Sequence, residues 1–318
     1  MGNTIEVNNI SIWYEEFGDK SNESVLLIMG ANANCMQWDQ EFIDYLVAKN
    51  LHVIRFDNRD VGKSTWFGKE PVFNKLLKFI PNFILKLIVN SIFGLAVDEN
   101  GKFKFNESAT AKYNLSDMAK DAVSLLDNLG INKAHIIGVS MGGMITQIIA
   151  LDYPERVLSI TPIMTSPGIQ NENLSGPTNE LLEAMKKSFI FNLKGRVEDG
   201  VVEIYRQLTG SRFPFNEDEF RDKLQPVIAH GNNPFSLHGT AVGASPDRTS
   251  RLNEISVPTL VIHGTEDAIL PLDHGLALAD GISNSKKMIM NGVGHEIPKE
   301  LLPEIVEEII ANINSVSS

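Results

Sequence analysis

Basic residues are in short supply. Lys and Arg total 28 against 40 Asp and Glu in 318 residues, a formal net charge of −12. Binding a phosphate backbone requires clustered cations, so no nucleic-acid partner is expected. Cysteine is nearly absent: Cys35 stands alone. That excludes an intrachain disulfide, and with no CxxC or Cys/His cluster the sequence suggests no zinc site. No metal and no cofactor are expected, and the lone thiol fits a reducing, cytoplasmic setting. The opening stretch MGNTIEVNNISIWYEEFG lacks the apolar run of a secretory signal. Glu6 stands where a myristoylation pattern needs Ser or Thr. No internal repeat or low-complexity tract is visible.

What is present is ordinary globular material, 43% hydrophobic and 21% charged, enough for one large catalytic domain with a smaller insertion. Alternation at Ile5, Val7, Ile10, Ile12 and Tyr14 predicts antiparallel strands at the start. Short apolar runs then recur at Val25–Met29, Val53–Phe56, Ala134–Val139, Val157–Met164, Thr259–His263 and Lys287–Met290. Runs of this kind, bounded by Gly, Asp or Asn, read as strands buried on both faces. Helical patterns lie between them, including Leu115–Leu129 with a cap at Ser116. A last stripe runs through Leu301, Leu302, Ile305, Val306, Ile309, Ile310 and Ile313. Alternating strand and helix implies an α/β fold with a mostly parallel sheet, whose ligands sit at the carboxyl ends of the strands.

Two segments break the rhythm. Residues 167–246 read as an inserted helical cap, leaving 1–166 and 247–318 as the core. Residues 66–112 form a lid-like apolar insertion. Its stretch 73–97 is very apolar and carries Lys75, Lys78 and Lys86. Pro81 keeps the apolar run well below the ~18 residues of a membrane span. A lid helix is preferred there over an interfacial helix that contacts a membrane.

The strongest local signal is Gly138-Val139-Ser140-Met141-Gly142, between an apolar strand and the helical run Met144–Leu151. This is the context of a nucleophile elbow. So sharp a turn needs small residues two places either side of the serine, and it lifts the hydroxyl above the sheet. Acyl transfer also needs two N–H donors where the oxyanion forms. Met141, after the nucleophile, and Ala31, in the loop following Val25–Met29, are the candidates.

Of seven histidines, His52 and His135 begin strands and read as structural. His230 and His238 fall in the cap, His263 in a strand, and His274 at a helix start. His295 differs. It lies in the Gly-rich loop Asn291–His295 beyond the last apolar strand, where a base can reach Ser140. For the acid, Glu266 and Asp267 both leave the end of the Thr259–His263 strand, and the shorter Asp267 is favoured.

The motif blocks MGANANCMQW (29–38), HVIRFDNRDVGKS (52–64), AHIIGVSMGGMITQIIALDYPERV (134–157), VPTLVIHGTEDAILP (257–271) and GVGHEIP (292–298) together resemble the α/β-hydrolase fold superfamily. Within it they look most like aclacinomycin methylesterase-like enzymes, which hydrolyse a methyl ester. The resemblance implies a Ser140–His295–Asp267 triad, oxyanion donors at Ala31 and Met141, and hydrolysis of a small-molecule ester with a hydrophobic portion. Asn32 and Trp38 are candidate substrate contacts. Apolar residues of 73–97 and 189–237 are expected to line the pocket. This chain departs from the family at Met29-Gly30, commonly His-Gly, and at Asp60, where many relatives carry Gly. Other readings are a thioesterase, an amidase or peptidase, or another acyl-bond enzyme on the same triad, and a non-catalytic receptor of this fold. Oligomeric state is left open.

Overall fold

The computed structural model describes residues 2–69, 77–99, 101–104 and 111–317. One eight-stranded sheet organises them. Its strands are β1 (Asn3–Val7), β2 (Ile10–Phe17), β3 (Ser24–Ile28), β4 (His52–Phe56), β5 (Ala134–Val139), β6 (Val157–Ile163), β7 (Leu260–Gly264) and β8 (Lys286–Met290). The order across the sheet is β1-β2-β4-β3-β5-β6-β7-β8. β1 and β2 pair antiparallel, as does β2 with β4, and every later pairing is parallel. The apolar runs read from sequence match these strands to within a residue or so at each end.

Each central strand serves two cores because its side chains alternate between faces. Leu26, Ile28, Ile136 and Val261 join one cluster, together with Leu115, Met118 and Leu125 of α3 (Leu115–Asn128) and Ile145 and Ile149 of α4 (Met141–Asp152). Val25, Leu27, Ile137 and Ile262 join the other. It contains Phe42, Ile43 and Leu46 of α1 (Gln40–Ala48) and Ile305, Val306, Ile309 and Ile313 of α10 (Leu302–Asn314). Helices therefore cover both sides, and the terminal stripe is buried as its periodicity requires.

The predicted cap for α3 at Ser116 is corrected to Asn114. Its side chain accepts from the Ser116 and Asp117 N–H groups, while Asp117 accepts from the Asn114 N–H. Asn binds its own downstream backbone at least as well as Ser, and the reciprocal bond completes a capping box.

Between β6 and β7 the described chain forms helices α5 (Asn179–Leu193), α6 (Val197–Leu208), α7 (Glu217–His230) and α8 (His238–Gly243). Helix α9 (Leu272–Gly281) follows β7. Within the apolar insertion, α2 (Asn82–Ala96) starts directly after Pro81, whose missing N–H costs nothing at a helix entrance. The part of the insertion at 73–76 lies outside the described residues. Among the described residues no helix is long and apolar enough to cross a membrane.

Candidate active site

Ser140 sits between β5 and α4 with φ 55° and ψ −120°, a backbone conformation that L-residues rarely adopt. The neighbouring glycines show why it is tolerated. A Cβ on Gly138 would lie 2.3 Å from the Gly142 carbonyl oxygen, and one on Gly142 would lie 2.1 Å from that of Ile28. The turn is fixed by hydrogen bonds at both ends: the Ser140 N–H donates to Ile163 O at 2.9 Å, and Thr165 Oγ1 donates to Ser140 O at 2.6 Å.

The loop after β3 reaches the same point. A Cβ on Gly30 would stand 3.2 Å from Ser140 Cβ, so the backbone carrying Ala31 passes directly beside the serine. Met141 opens α4, and its N–H is one of the first-turn donors that a helix leaves without an intrahelical acceptor. Both oxyanion candidates thus flank Ser140. Asn32 is exposed, has φ 60°, and donates its N–H to His238 Nδ1 at 2.8 Å.

His295 and Asp267 also come together. The His295 Nδ1–H donates to Asp267 Oδ2 at 2.7 Å. Asp267 Oδ1 accepts from the N–H groups of Ile269 and Leu270 at 3.0 and 2.9 Å. Burial alone would raise the Asp267 carboxyl; the charge and hydrogen bonds of His295 and His263 instead hold it well below the ordinary range. Glu266, the other acid considered, points elsewhere and accepts from the Ser211 N–H and hydroxyl, both at 2.7 Å. The His295 N–H donates to Leu208 O at 2.7 Å, tying the base loop to α6. Among the described residues no hydrogen bond links the Ser140 hydroxyl to His295.

A cavity of about 560 Å³ opens beside His295 and Val139, while Ser140, Asp267, Ala31 and Met141 are not among its lining residues. Val139, His295, Met29, Trp38, Tyr205 and Phe220 are among its walls. The expected contribution of 189–237 is present, but no described residue of 73–97 lines the cavity, so that expectation is corrected for the part described. α2 instead packs against α5. Trp38 is buried in the wall, stacked on Phe42 at 5.3 Å, and its indole N–H has no hydrogen-bond partner. Asn32 is not among the lining residues.

Three polar links that sequence reasoning missed join the inserted helices to the core. Asp60 has φ 76°, which explains why Gly is common at this position. Its carboxylate accepts from the N–H groups of Phe67, Gly68 and Leu237, from the Tyr113 hydroxyl and from the Asn233 amide. Burial pushes this carboxyl up, but those donors hold it below its ordinary value. Secondly, His238 Nε2–H donates to Arg59 O at 2.7 Å. Burial lowers its pKa to about 4. Thirdly, His230 Nε2–H donates to Asp57 Oδ2 at 2.7 Å. The donor atoms of Cys35, Asp57 and His230 lie within 4.8 Å of one another, a set that metals use. Asp57 is already engaged, accepting also from the Cys35 and Lys63 N–H groups. Burial also pushes the Cys35 thiol up, away from the thiolate a metal requires.

Comparison with known proteins identifies the family. The model of the alpha/beta hydrolase fold family matches residues 23–300. The chain belongs to that family and is a hydrolase enzyme. It is 26% identical to rhodomycin D methylesterase of Streptomyces sp. (strain C5), covering 98% of both chains. It is 31% identical over 188 residues to 2-hydroxy-6-oxononadienedioate/2-hydroxy-6-oxononatrienedioate hydrolase 1 of Pseudomonas putida, covering 54% of this chain and 59% of that one. The crystal structure of the enol-lactonase from Burkholderia xenovorans LB400 superposes with a TM-score of 0.70 at 16% identity, covering 98% of this chain and all of that one. Homologous enzymes therefore act on ester and related acyl bonds, and the motif resemblance to methylesterases extends along the whole chain.

Proposed function

We propose that the protein is a serine hydrolase of carboxylic esters, with methyl esters as the favoured class. His295 takes the proton of Ser140, whose oxygen attacks the ester carbonyl. The N–H groups of Ala31 and Met141 receive the oxyanion, and the alcohol leaves with the proton held by His295. Water, activated by the same imidazole, then frees the acid from the acyl-enzyme. Asp267 fixes the His295 tautomer and offsets its positive charge.

The observation that carries this reading is the pairing of a strained serine elbow with a 2.7 Å His295–Asp267 bond. The lack of a hydrogen bond between the Ser140 hydroxyl and His295 accords with unliganded enzymes, in which catalytic hydrogen bonds are often long. Helices α6 and α7, part of the stretch read as a cap, contribute to the cavity wall together with the segment between them. The aromatic and Met lining of the cavity suits a substrate with a hydrophobic body.

The test is a panel of methyl, ethyl and p-nitrophenyl esters beside matched thioesters and amides, with fluorophosphonate labelling. The expected result is stoichiometric labelling lost in Ser140→Ala and fastest turnover on methyl esters. Undiminished ester turnover by Ser140→Ala refutes the assignment of the nucleophile. Faster cleavage of the thioester or amide refutes the substrate class.

A further inference from the structure

We propose that α2 and the turn before it are a docking surface for an anionic lipid bilayer. Only Leu85 and Val89 of this helix are buried, the narrow stripe that faces α5. Phe83, Ile84, Leu87, Ile88, Ile92 and Leu95 remain exposed, and Phe79 in the preceding turn is 85% exposed. At 100° per residue the six helical side chains sweep about half the circumference. A contiguous apolar face of this extent on a folded protein marks an interaction surface.

Charge selects the occupant. In a chain of net charge −12, residues 77–97 carry Lys78 and Lys86 and no acidic residue. Both lysines are exposed. Lys194 of the segment after α5 lies alongside, donating to Lys78 O and Ile80 O at 2.9 and 2.5 Å. Lys186 and Lys187 are matched by Glu183 and Glu203. Asp98 follows the helix and is turned onto the Lys102 N–H. An apolar face with a basic rim lies in the interfacial plane of an anionic membrane. A second copy fits less well, because a two-fold interface must complement itself and residues 77–97 offer their lysines no acid, the exposed Glu99 lying beyond the end of the helix.

The position is also informative. α2 rests on α5, and Leu181 of α5 packs with Leu208 and Ala268, the residue after Asp267. One helix layer thus separates the docked face from the acid loop.

The experiment uses the full-length protein with sucrose-loaded vesicles of phosphatidylcholine, with and without phosphatidylglycerol, and reads sedimentation. It needs no substrate, so its failure is distinct from failure of the hydrolase assignment. The expected result is co-sedimentation with the phosphatidylglycerol vesicles. The triple variant Phe83→Ser, Leu87→Ser, Leu95→Ser should bind about tenfold more weakly or worse. The pair Lys78→Glu, Lys86→Glu should lose the preference for anionic over neutral vesicles. Circular dichroism and turnover of a short water-soluble ester should be unchanged in both. The proposal is overturned if the wild type stays in the supernatant or if both variants sediment as it does. It is equally overturned if light scattering finds a dimer that the triple variant alone dissolves.

Discussion

His238 Nδ1 accepts the Asn32 N–H at 2.8 Å while its Nε2–H donates to Arg59 O at 2.7 Å. One buried imidazole thus links α8, the loop beside Ser140 and the loop after β4. The two bonds fix its tautomer and require it to be neutral. His238→Ala should leave the loop after β3 unanchored and reduce kcat by about 10²-fold, as expected for a small misplacement of catalytic donors. KM should change little, which steady-state kinetics on one ester will show.

The same residue makes a pH prediction. Unfolded, His238 takes up a proton near pH 6.5; folded, it does so only near 4. Between those values the unfolded state binds more protons, so stability is complete above pH 6.5 and falls on acidification. The slope is about 1.4 kcal/mol per pH unit for one such group. His52, His135 and His274 are also lowered, chiefly by burial, and add in the same direction. Urea midpoints from pH 7 to 4.5 should fall more steeply in the wild type than in His238→Gln. Parallel curves would remove His238 from this account.

At Ser140 stability and activity should move in opposite directions. Gly accepts φ 55° without the clash a Cβ introduces, and such strain is worth roughly 1–3 kcal/mol. Allowing for the greater entropy of unfolded glycine, Ser140→Gly should raise stability by about 1 kcal/mol while abolishing fluorophosphonate labelling. Thermal melts beside the labelling assay check both halves.

The glycines around the serine should separate by what their Cβ would meet. Gly142→Ala meets the Ile28 carbonyl at 2.1 Å, backbone that cannot yield, and should destabilise the fold by about 3 kcal/mol or more. Gly30→Ala meets Ser140 Cβ at 3.2 Å. It should fold nearly as well and lose activity, because the crowding falls on the nucleophile. Equal melting points for the two variants would contradict this.

Glu266 and Asp267 are adjacent in sequence and differ in what they touch. Asp267→Asn should lower kcat by about 10²–10⁴-fold, the range for an acid that orients a catalytic imidazole. Glu266→Gln gives up at most one of its two acceptor bonds to Ser211 and should retain most of the wild-type rate.

Asp60 illustrates what an isolated motif cannot convey. As a departure from the Gly of many relatives it reads as an unexplained substitution. In the fold its carboxylate collects five donors from segments up to 177 residues away. Asp60→Gly relieves the positive φ but strands those donors, and should cost about 3 kcal/mol or more. A stabilised Asp60→Gly protein would reverse this reading.

The chain's own order dictated its sheet and its elbow. Apolar runs of strand length between helical patterns have few ways to bury both faces. Tiny residues on either side of Ser140 leave little but the strand–turn–helix crossing. These are local constraints, and composition and period express them directly. Contacts between distant segments needed the assembled fold. Whether Glu266 or Asp267 meets His295, and that His230 and His238 reach back to the loops after β3 and β4, depend on how helices inserted after β6 settle on the sheet. The bare face of α2 belongs with these, because an apolar helix reads alike whether its neighbours cover it or leave it open. Burial and hydrogen bonding across a hundred residues or more are properties of packed surfaces, and no window along the sequence contains both partners.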